Sequence, residues 1–298
     1  MSIPFADSLE KLDVIPTGLF VDRLTGVGGI PKTKILELFG DSGTGKSSLC
    51  LQIIAEAQKR GFKCLFADVE WSFSPDYATA LGVDNSKLGL IRERFSEDTL
   101  DKIEEEAESG DWDLIVLDSI GGILPRVDAD KRSGEKTIGS QASLVSKFLR
   151  KIVPILVLKN VALIAINHSF VDIMSGAIKT SGGRKIEYHR SISIRLKQKF
   201  GVSLKQGDKK IGKIIVGEVK RNKVANTEGL EIEGHMLYGT AFSVSADLMT
   251  EALEKGVIVK KVNSYYFGDE KLAVGLIKLR KAIEEDADLS ERIKQALK

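Results

Sequence analysis

Gly40-Asp-Ser-Gly-Thr-Gly45-Lys46-Ser47 is the segment that most restricts what this chain can fold into. It fits the pattern G-x-x-x-x-G-K-[ST]. The apolar run ILELFG (35–40) leads into it. Gly45 to Lys59 follows, with Leu49, Ile53, Ile54 and Ala57 at helical spacing. A strand that turns through glycines into a helix gathers backbone N–H groups and the positive helix end around one point, which suits a phosphate. Lys46 then reaches the β- and γ-phosphates of ATP, and the Ser47 hydroxyl is a ligand for Mg²⁺. The predicted cofactor-binding set is Gly40, Asp41, Ser42, Gly43, Thr44, Gly45, Lys46, Ser47 and Ser48.

The same alternation continues along the chain. CLFAD (64–68), LIVLD (114–118) and VALIAIN (161–167) read as buried strands, and helices are predicted over 97–108 and 141–158. In the first of these helices Thr99, Leu100 and Ile103 face inward. Continuous apolar strands between helices mean an α/β fold with a parallel sheet covered on both faces. After 190 the period changes to two. SISIRL (191–196), KIIVGEV (213–219) and LEIEGHMLY (230–238) read as antiparallel strands that complete the sheet, with 201–212 as a polar hairpin turn. From about 242 onward helices and the short YYF (265–267) segment form a small α+β lobe. The expected division is a short N-terminal segment 1–14, a core 15–235 and a C-terminal domain 236–298.

Composition excludes several classes. With 298 residues, 43% apolar and 29% charged, the chain can bury a real core without disulfides or metals. Cys50 and Cys64 fall in apolar patterns and read as reduced, buried thiols of a cytoplasmic protein. No apolar run is long enough for a membrane span, and the N-terminus has no secretory apolar region. The net charge of +2 conceals a segregation. Nine acids stand against one lysine over 97–113, and fourteen Lys/Arg against four acids over 171–225. That imbalance fits a polyanion partner on one face or a solvated charged surface.

Asp118 closes LIVLD and is the expected Mg²⁺ partner of Ser47. Asp113 opens the same run at the wrong end and is read as a turn residue. Glu70 lies two residues past the strand ending at Asp68, on the carboxyl edge where open α/β sheets collect their active sites. It is the candidate base that orients or deprotonates water.

With these motifs in hand, the chain resembles the RecA recombinase family from about Ile15 to its C-terminus. IPTG (15–18) and GVGGIPKTKILELFG are similar to the family's approach to the phosphate loop. LFADVEWSFSPDYATALGVD (65–84) is similar to the segment whose catalytic glutamate falls on Glu70 and whose adenine-stacking aromatic falls on Tyr77. Ser74 stands where the family often has an Asp. DLIVLDSIGGILPR (113–126) matches the second nucleotide motif on Asp118 and Ser119.

The resemblance implies two flexible DNA-binding loops, Arg126–Gly139 and Ser169–Lys185. Lys131, Arg132 and Lys136 on the first and Lys179, Arg184 and Lys185 on the second would meet phosphates. EVKRNKVA (218–225) resembles the segment that reaches a neighbouring protomer's ATP, which gives Arg221 and Lys223 a role in trans at the γ-phosphate. Asn167-His168 stands where the family commonly has Asn-Gln, so the resemblance makes His168 the γ-phosphate sensor, with a structural histidine capping the strand as the other reading. Ser143 replaces a basic residue. The segment before IPTG is shorter than the family's docking helix, and Phe5, Leu9 and Leu12 form a docking stripe or a cap on the chain's own core.

The implied activity is a DNA-stimulated ATPase that forms filaments on single-stranded DNA, pairs it with duplex DNA and exchanges strands. The alternative is an ATPase of the same fold without strand exchange, a ring-forming helicase motor or a regulatory ATPase.

Overall fold

The computed structural model describes residues 12–129, 131, 139–171, 176, 178–181, 185–206 and 208–297. In chain order, β1 (Val14–Ile15), α1 (Phe20–Thr25), β2 (Ile30–Pro31), β3 (Ile35–Gly40), α2 (Lys46–Lys59), β4 (Cys64–Asp68), α3 (Pro75–Ala80) and β5 (Leu88–Ile91) come first. Next are α4 (Ser96–Ser109), β6 (Leu114–Asp118), α5 (Arg126–Ala129), α6 (Ser140–Lys159), β7 (Ala162–Val171), β8 (Ile178–Thr180) and α7 (Lys185–His189). The antiparallel part is β9 (Ile192–Gln206), β10 (Lys209–Asn222), β11 (Glu231–Leu237) and β12 (Ala241–Phe242). The chain ends with α8 (Val244–Glu254), β13 (Ile258–Lys261), β14 (Ser264–Phe267), β15 (Glu270–Val274), α9 (Leu276–Glu285) and α10 (Ala287–Leu297).

The main sheet has the order β12-β11-β10-β9-β3-β7-β6-β4-β5, with β8 added to the far end of β7. Pairing is parallel from β9 to β5 and antiparallel from β9 to β12. Every residue of β3, β4 and β6 is buried, as a sheet covered on both faces requires. Alternate residues feed two cores. Leu36, Leu38, Phe66 and Val116 pack with Leu49, Ile53 and Ile54 of α2. Ile35, Leu65, Ile115 and Leu117 pack with Leu100 and Ile103 of α4 and with Phe148 and Leu149 of α6. A third core, from Leu248 to Ile293, holds α8, α9, α10 and the three-stranded sheet β13-β14-β15. Cys50 and Cys64 are free and buried.

Two expectations need correction. The span 201–212 is not a polar turn. β9 runs to Gln206 and β10 starts at Lys209, which pairs with Gln206, so most of this span is strand. Leu196 stands level with Gly40, so the rest of this hairpin extends past the carboxyl edge of the parallel strands. The backbone ladder continues through the lysines and glycines, because its hydrogen bonds do not need apolar side chains. Asp113 lies in the bend before β6, as expected, and clasps it to its neighbours. Its carboxylate holds Lys32 Nζ at 2.8 Å and accepts the Lys63 N–H at 2.9 Å. Arg126–Ala129, placed in a loop by the sequence, forms a helical turn.

The charge segregation is partly consumed within the chain. Lys151 meets Glu104 at 2.7 Å, and Lys197 meets Glu231 at 2.6 Å. Lys199 pairs with Glu233, and Lys220 with Glu218 at 2.5 Å. Exposed pairs of this kind contribute little to stability.

The IPTG segment is closed by Asp22. Its carboxylate accepts the Thr17 N–H at 2.9 Å, the Thr17 hydroxyl at 2.6 Å and the Gly18 N–H at 2.7 Å. Burial nonetheless pushes its pKa from 3.8 up to about 6, the hydrogen bonds only partly opposing it. The unfolded chain therefore loses this proton first as pH rises. Its contribution to stability is full below pH about 4 and disappears as pH passes about 6. Melting temperatures of the wild type and Asp22→Asn, measured across pH 4 to 7, should show the wild type losing ground relative to the variant through that window. A difference that does not change with pH would refute this assignment.

Candidate nucleotide and nucleic-acid site

β3 delivers the chain into the glycine-rich turn at the centre of the sheet edge. Gly40 has φ 153°, and a Cβ there would lie 2.2 Å from the Leu196 carbonyl oxygen. Gly45, at φ 84°, precedes the first turn of α2, and a Cβ there would meet Met236 Sδ at 2.9 Å. No other residue type fits either position. Lys46 is 6% exposed and donates through Nζ to the carbonyls of Gly40 (2.8 Å) and Asp41 (3.0 Å). Burial lowers its pKa, while the charges of Asp118, Glu70 and Asp41 oppose the drop. Thr44 Oγ1 donates to the Asp41 carbonyl at 2.8 Å, and Lys213 Nζ reaches the Gly43 carbonyl at 2.5 Å. Ser47 hydrogen-bonds Asp118, and Ser48 hydrogen-bonds the Tyr77 hydroxyl at 2.8 Å. Ser74 caps α3 by accepting the Tyr77 N–H at 3.4 Å, so the residue that replaces the family's Asp sets where Tyr77 stands.

Parallel pairing sets Asp68 level with Asp118, and Gly40 level with His168. Asp118 is 2% exposed. Burial lifts its pKa to about 6, the Ser47 hydrogen bond pulls it down, and the Glu70 and Asp68 charges raise it further. The peptide bond from Asp118 to Ser119 is cis. Glu70 receives hydrogen bonds from the Ser119 hydroxyl and from His168 Nε2, the latter at 2.8 Å. Burial pushes the Glu70 carboxyl up, but those hydrogen bonds and the nearby charges of His168 and Lys46 outweigh it and the pKa is lowered. The structure thus brings Lys46, Ser47, Glu70, Asp118 and His168 to one edge.

Residues the sequence reading overlooked hold this arrangement. Asp68 accepts the N–H groups of Ser72 and Phe73, each at 3.0 Å, and Arg92 Nε at 2.8 Å. The turn that carries Glu70 is fixed by these contacts. Glu37, fully buried in β3, accepts Asn167 Nδ2 at 2.9 Å and Ser193 Oγ at 2.8 Å, and it pairs with Arg190. Asn167 Nδ2 also donates to the Ser181 carbonyl at 3.0 Å. The available signal was an acid in the middle of an otherwise apolar strand, since a buried charge needs partners.

The second predicted loop, Ser169–Lys185, is shorter than expected. β7 continues to Val171 and pairs with β8, setting Ser169 opposite Thr180 and Phe170 opposite Lys179. Lys185 opens α7. Lys131 lies beyond α5, while Arg132, Lys136, Arg184, Phe5 and Leu9 are outside the described residues. Ser143 is exposed on α6. Arg221 and Lys223 are not brought to this chain's own phosphate loop. Arg221 pairs with Ser193, which is level with Glu37, and Lys223 Nζ donates to the Tyr188 carbonyl at 2.7 Å. Both stand back toward the amino edge, away from Gly40.

A strand-to-helix glycine turn beside acids at neighbouring strand ends defines a P-loop nucleotide-binding protein of the α/β class. Residues 4–243 match the family described as the RecA N-terminal domain. The chain is 36% identical over 297 residues to protein RecA of Aquifex aeolicus, covering 98% of this chain and 85% of that protein. It is 35% identical over 289 residues to protein RecA of Thermus thermophilus, covering 96% and 84%. For protein RecA of Fusobacterium nucleatum the identity is 34% over 295 residues, covering 98% and 77%. The chain belongs to the RecA family of recombination proteins, whose members bind ATP and DNA. Among the described residues no helix is long and apolar enough to cross a membrane.

Proposed function

We propose that this chain is a DNA-stimulated ATPase that assembles into a helical filament on single-stranded DNA, pairs it with duplex DNA and promotes strand exchange. The observation that carries this reading is the continuity of β7. His168 holds Glu70 at 2.8 Å, and the next residue begins the β7–β8 hairpin that bears Lys179. The residue that holds the water-activating Glu70 and the segment assigned to DNA are adjacent on one strand.

ATP sits with its phosphates in the Gly40–Ser47 turn, and Tyr77 is placed to stack on the adenine. Glu70, an anion at neutral pH, orients and deprotonates the attacking water. The residues fit Mg²⁺. Asp118 Oδ2 is buried with no hydrogen-bond partner among the described residues, next to the Ser47 hydroxyl, and both are hard oxygen donors. The ion supplies neutralisation of phosphate charge. Arg221 and Lys223 act on a neighbour's γ-phosphate, which agrees with their distance from their own chain's loop. Lys131, Arg132, Lys136, Lys179, Arg184 and Lys185 contact the DNA backbone. The chain divides into 1–14, 15–235 and 236–298; the third core from Leu248 to Ile293 supports a separate C-terminal lobe, while β11 and β12 belong to the main sheet.

Negative-stain imaging with single-stranded DNA, with and without a non-hydrolysable ATP analogue, tests the reading. Helical filaments that form with the analogue support it, whereas closed rings or isolated monomers overturn it. A second test concerns the cations of the β7–β8 region. Replacing Lys179, Arg184 and Lys185 together with Ala should weaken single-strand binding on every base sequence. The log–log salt slope should fall in magnitude by about 2, at roughly 0.7 per phosphate contact. An unchanged slope would remove this segment from the DNA interface.

A further inference from the structure

The hydroxyl of Ser169 donates to Asp41 Oδ1 at 2.5 Å. Asp41 is the second residue of the phosphate loop, and Ser169 is the first residue of β7 that pairs with β8. We propose that this hydrogen bond is a second link between nucleotide and nucleic acid, separate from the contact of His168 with Glu70, and that Ser169 is a positioning residue for the phosphate loop.

Asp41 is engaged from both sides. Its carbonyl accepts Lys46 Nζ at 3.0 Å and Thr44 Oγ1 at 2.8 Å, so the side chains that meet a phosphate pull on its backbone. Its carboxylate holds Ser169. A phosphate that draws Lys46 toward itself competes with the carbonyls of Gly40 and Asp41. Asp41 then shifts, and its carboxylate carries the shift to Ser169. Ser169 is paired with Thr180, and one residue on, Ser181 is held by Asn167, so both arms of the hairpin are anchored next to the site. The link is therefore short. Asp41 passes the movement to Ser169, and the hairpin moves with it. Because coupling between two ligands is reciprocal, a polyanion held by the hairpin tightens nucleotide binding by the same factor.

This proposal rests on the DNA-stimulated reading above, and the experiment separates the two. The affinity of the full chain for a fluorescent non-hydrolysable ATP analogue is measured with and without oligothymidylate. The same is done for Ser169→Ala, Ser169→Thr, Asp41→Ala and the double variant Ser169→Ala/Asp41→Ala. The wild type should bind the analogue more tightly with the oligonucleotide. Ser169→Ala should lose about tenfold of that tightening, read as the ratio of its own affinities with and without the oligonucleotide, the scale of one hydrogen bond to a charged acceptor. Ser169→Thr, which keeps the hydroxyl, should retain the tightening. The double variant should show the coupling of Ser169→Ala and no less, since both changes cut one link. If the wild type couples and Ser169→Ala couples equally, the link is wrong and the DNA reading stands. If the wild type shows no effect of the oligonucleotide, the DNA-stimulated reading falls, and the link with it.

Discussion

Glu70→Gln should leave nucleotide affinity unchanged and lower the DNA-stimulated turnover of ATP by 10²-fold or more, roughly the scale of losing a general base. The substitution preserves the size of the side chain and an oxygen for the Ser119 and His168 hydrogen bonds. It removes only the ability to take a proton. The hydrogen bonds and the Lys46 charge hold Glu70 below its ordinary pKa, so it is ionised at neutral pH and its activity is lost only on the acid side. Steady-state hydrolysis read together with analogue binding checks this. Unchanged kcat would exclude Glu70 from the chemistry, and a parallel loss of binding would make it a structural residue.

Lys46→Ala should be the more severe change, because it removes nucleotide binding itself. Lys46 is buried among Asp118, Glu70 and Asp41, and their charges support its protonated form. Without it, a phosphate in the loop faces Asp41, Asp118 and Glu70 with no buried cation among the described residues to offset them. The expected loss is about 10²-fold in analogue affinity at the least, the scale of one or two charge-assisted hydrogen bonds. Isothermal titration with the analogue measures it, and a circular dichroism spectrum like that of the wild type shows that the fold is kept. Affinity within a factor of about 3 of the wild type would show that the α2 N-terminus and backbone N–H groups suffice.

Much of this site is legible in the residues because its chemistry is local. The spacing in Gly40–Ser47 dictates a turn that only glycine permits at its two crowded positions, and the flanking apolar runs dictate strand and helix. LIVLD and CLFAD end in acids at the same edge for the same reason, since a parallel sheet collects its strand ends. Periodicity failed where a polar composition hid regular pairing. The β9–β10 hairpin keeps its ladder through lysines and glycines, because the pairing of backbone groups does not depend on apolar side chains there.

Other features belong to the tertiary structure alone. Glu37 with Arg190, Asp68 with Arg92 and Asp41 with Ser169 join residues 153, 24 and 128 positions apart. No local pattern encodes such pairs. They form because the order β9-β3-β7-β6-β4 sets these strands side by side, and because a charge taken from water must find its partner wherever the sheet places one. The sequence alone determined the phosphate loop, the strand and helix types, and the acids at the sheet edge. The folded sheet decided which side chain holds Glu70, which residues hold the hairpin, and that Arg221 and Lys223 stand away from their own chain's nucleotide. Those are distances between strands, and only the packed sheet fixes them.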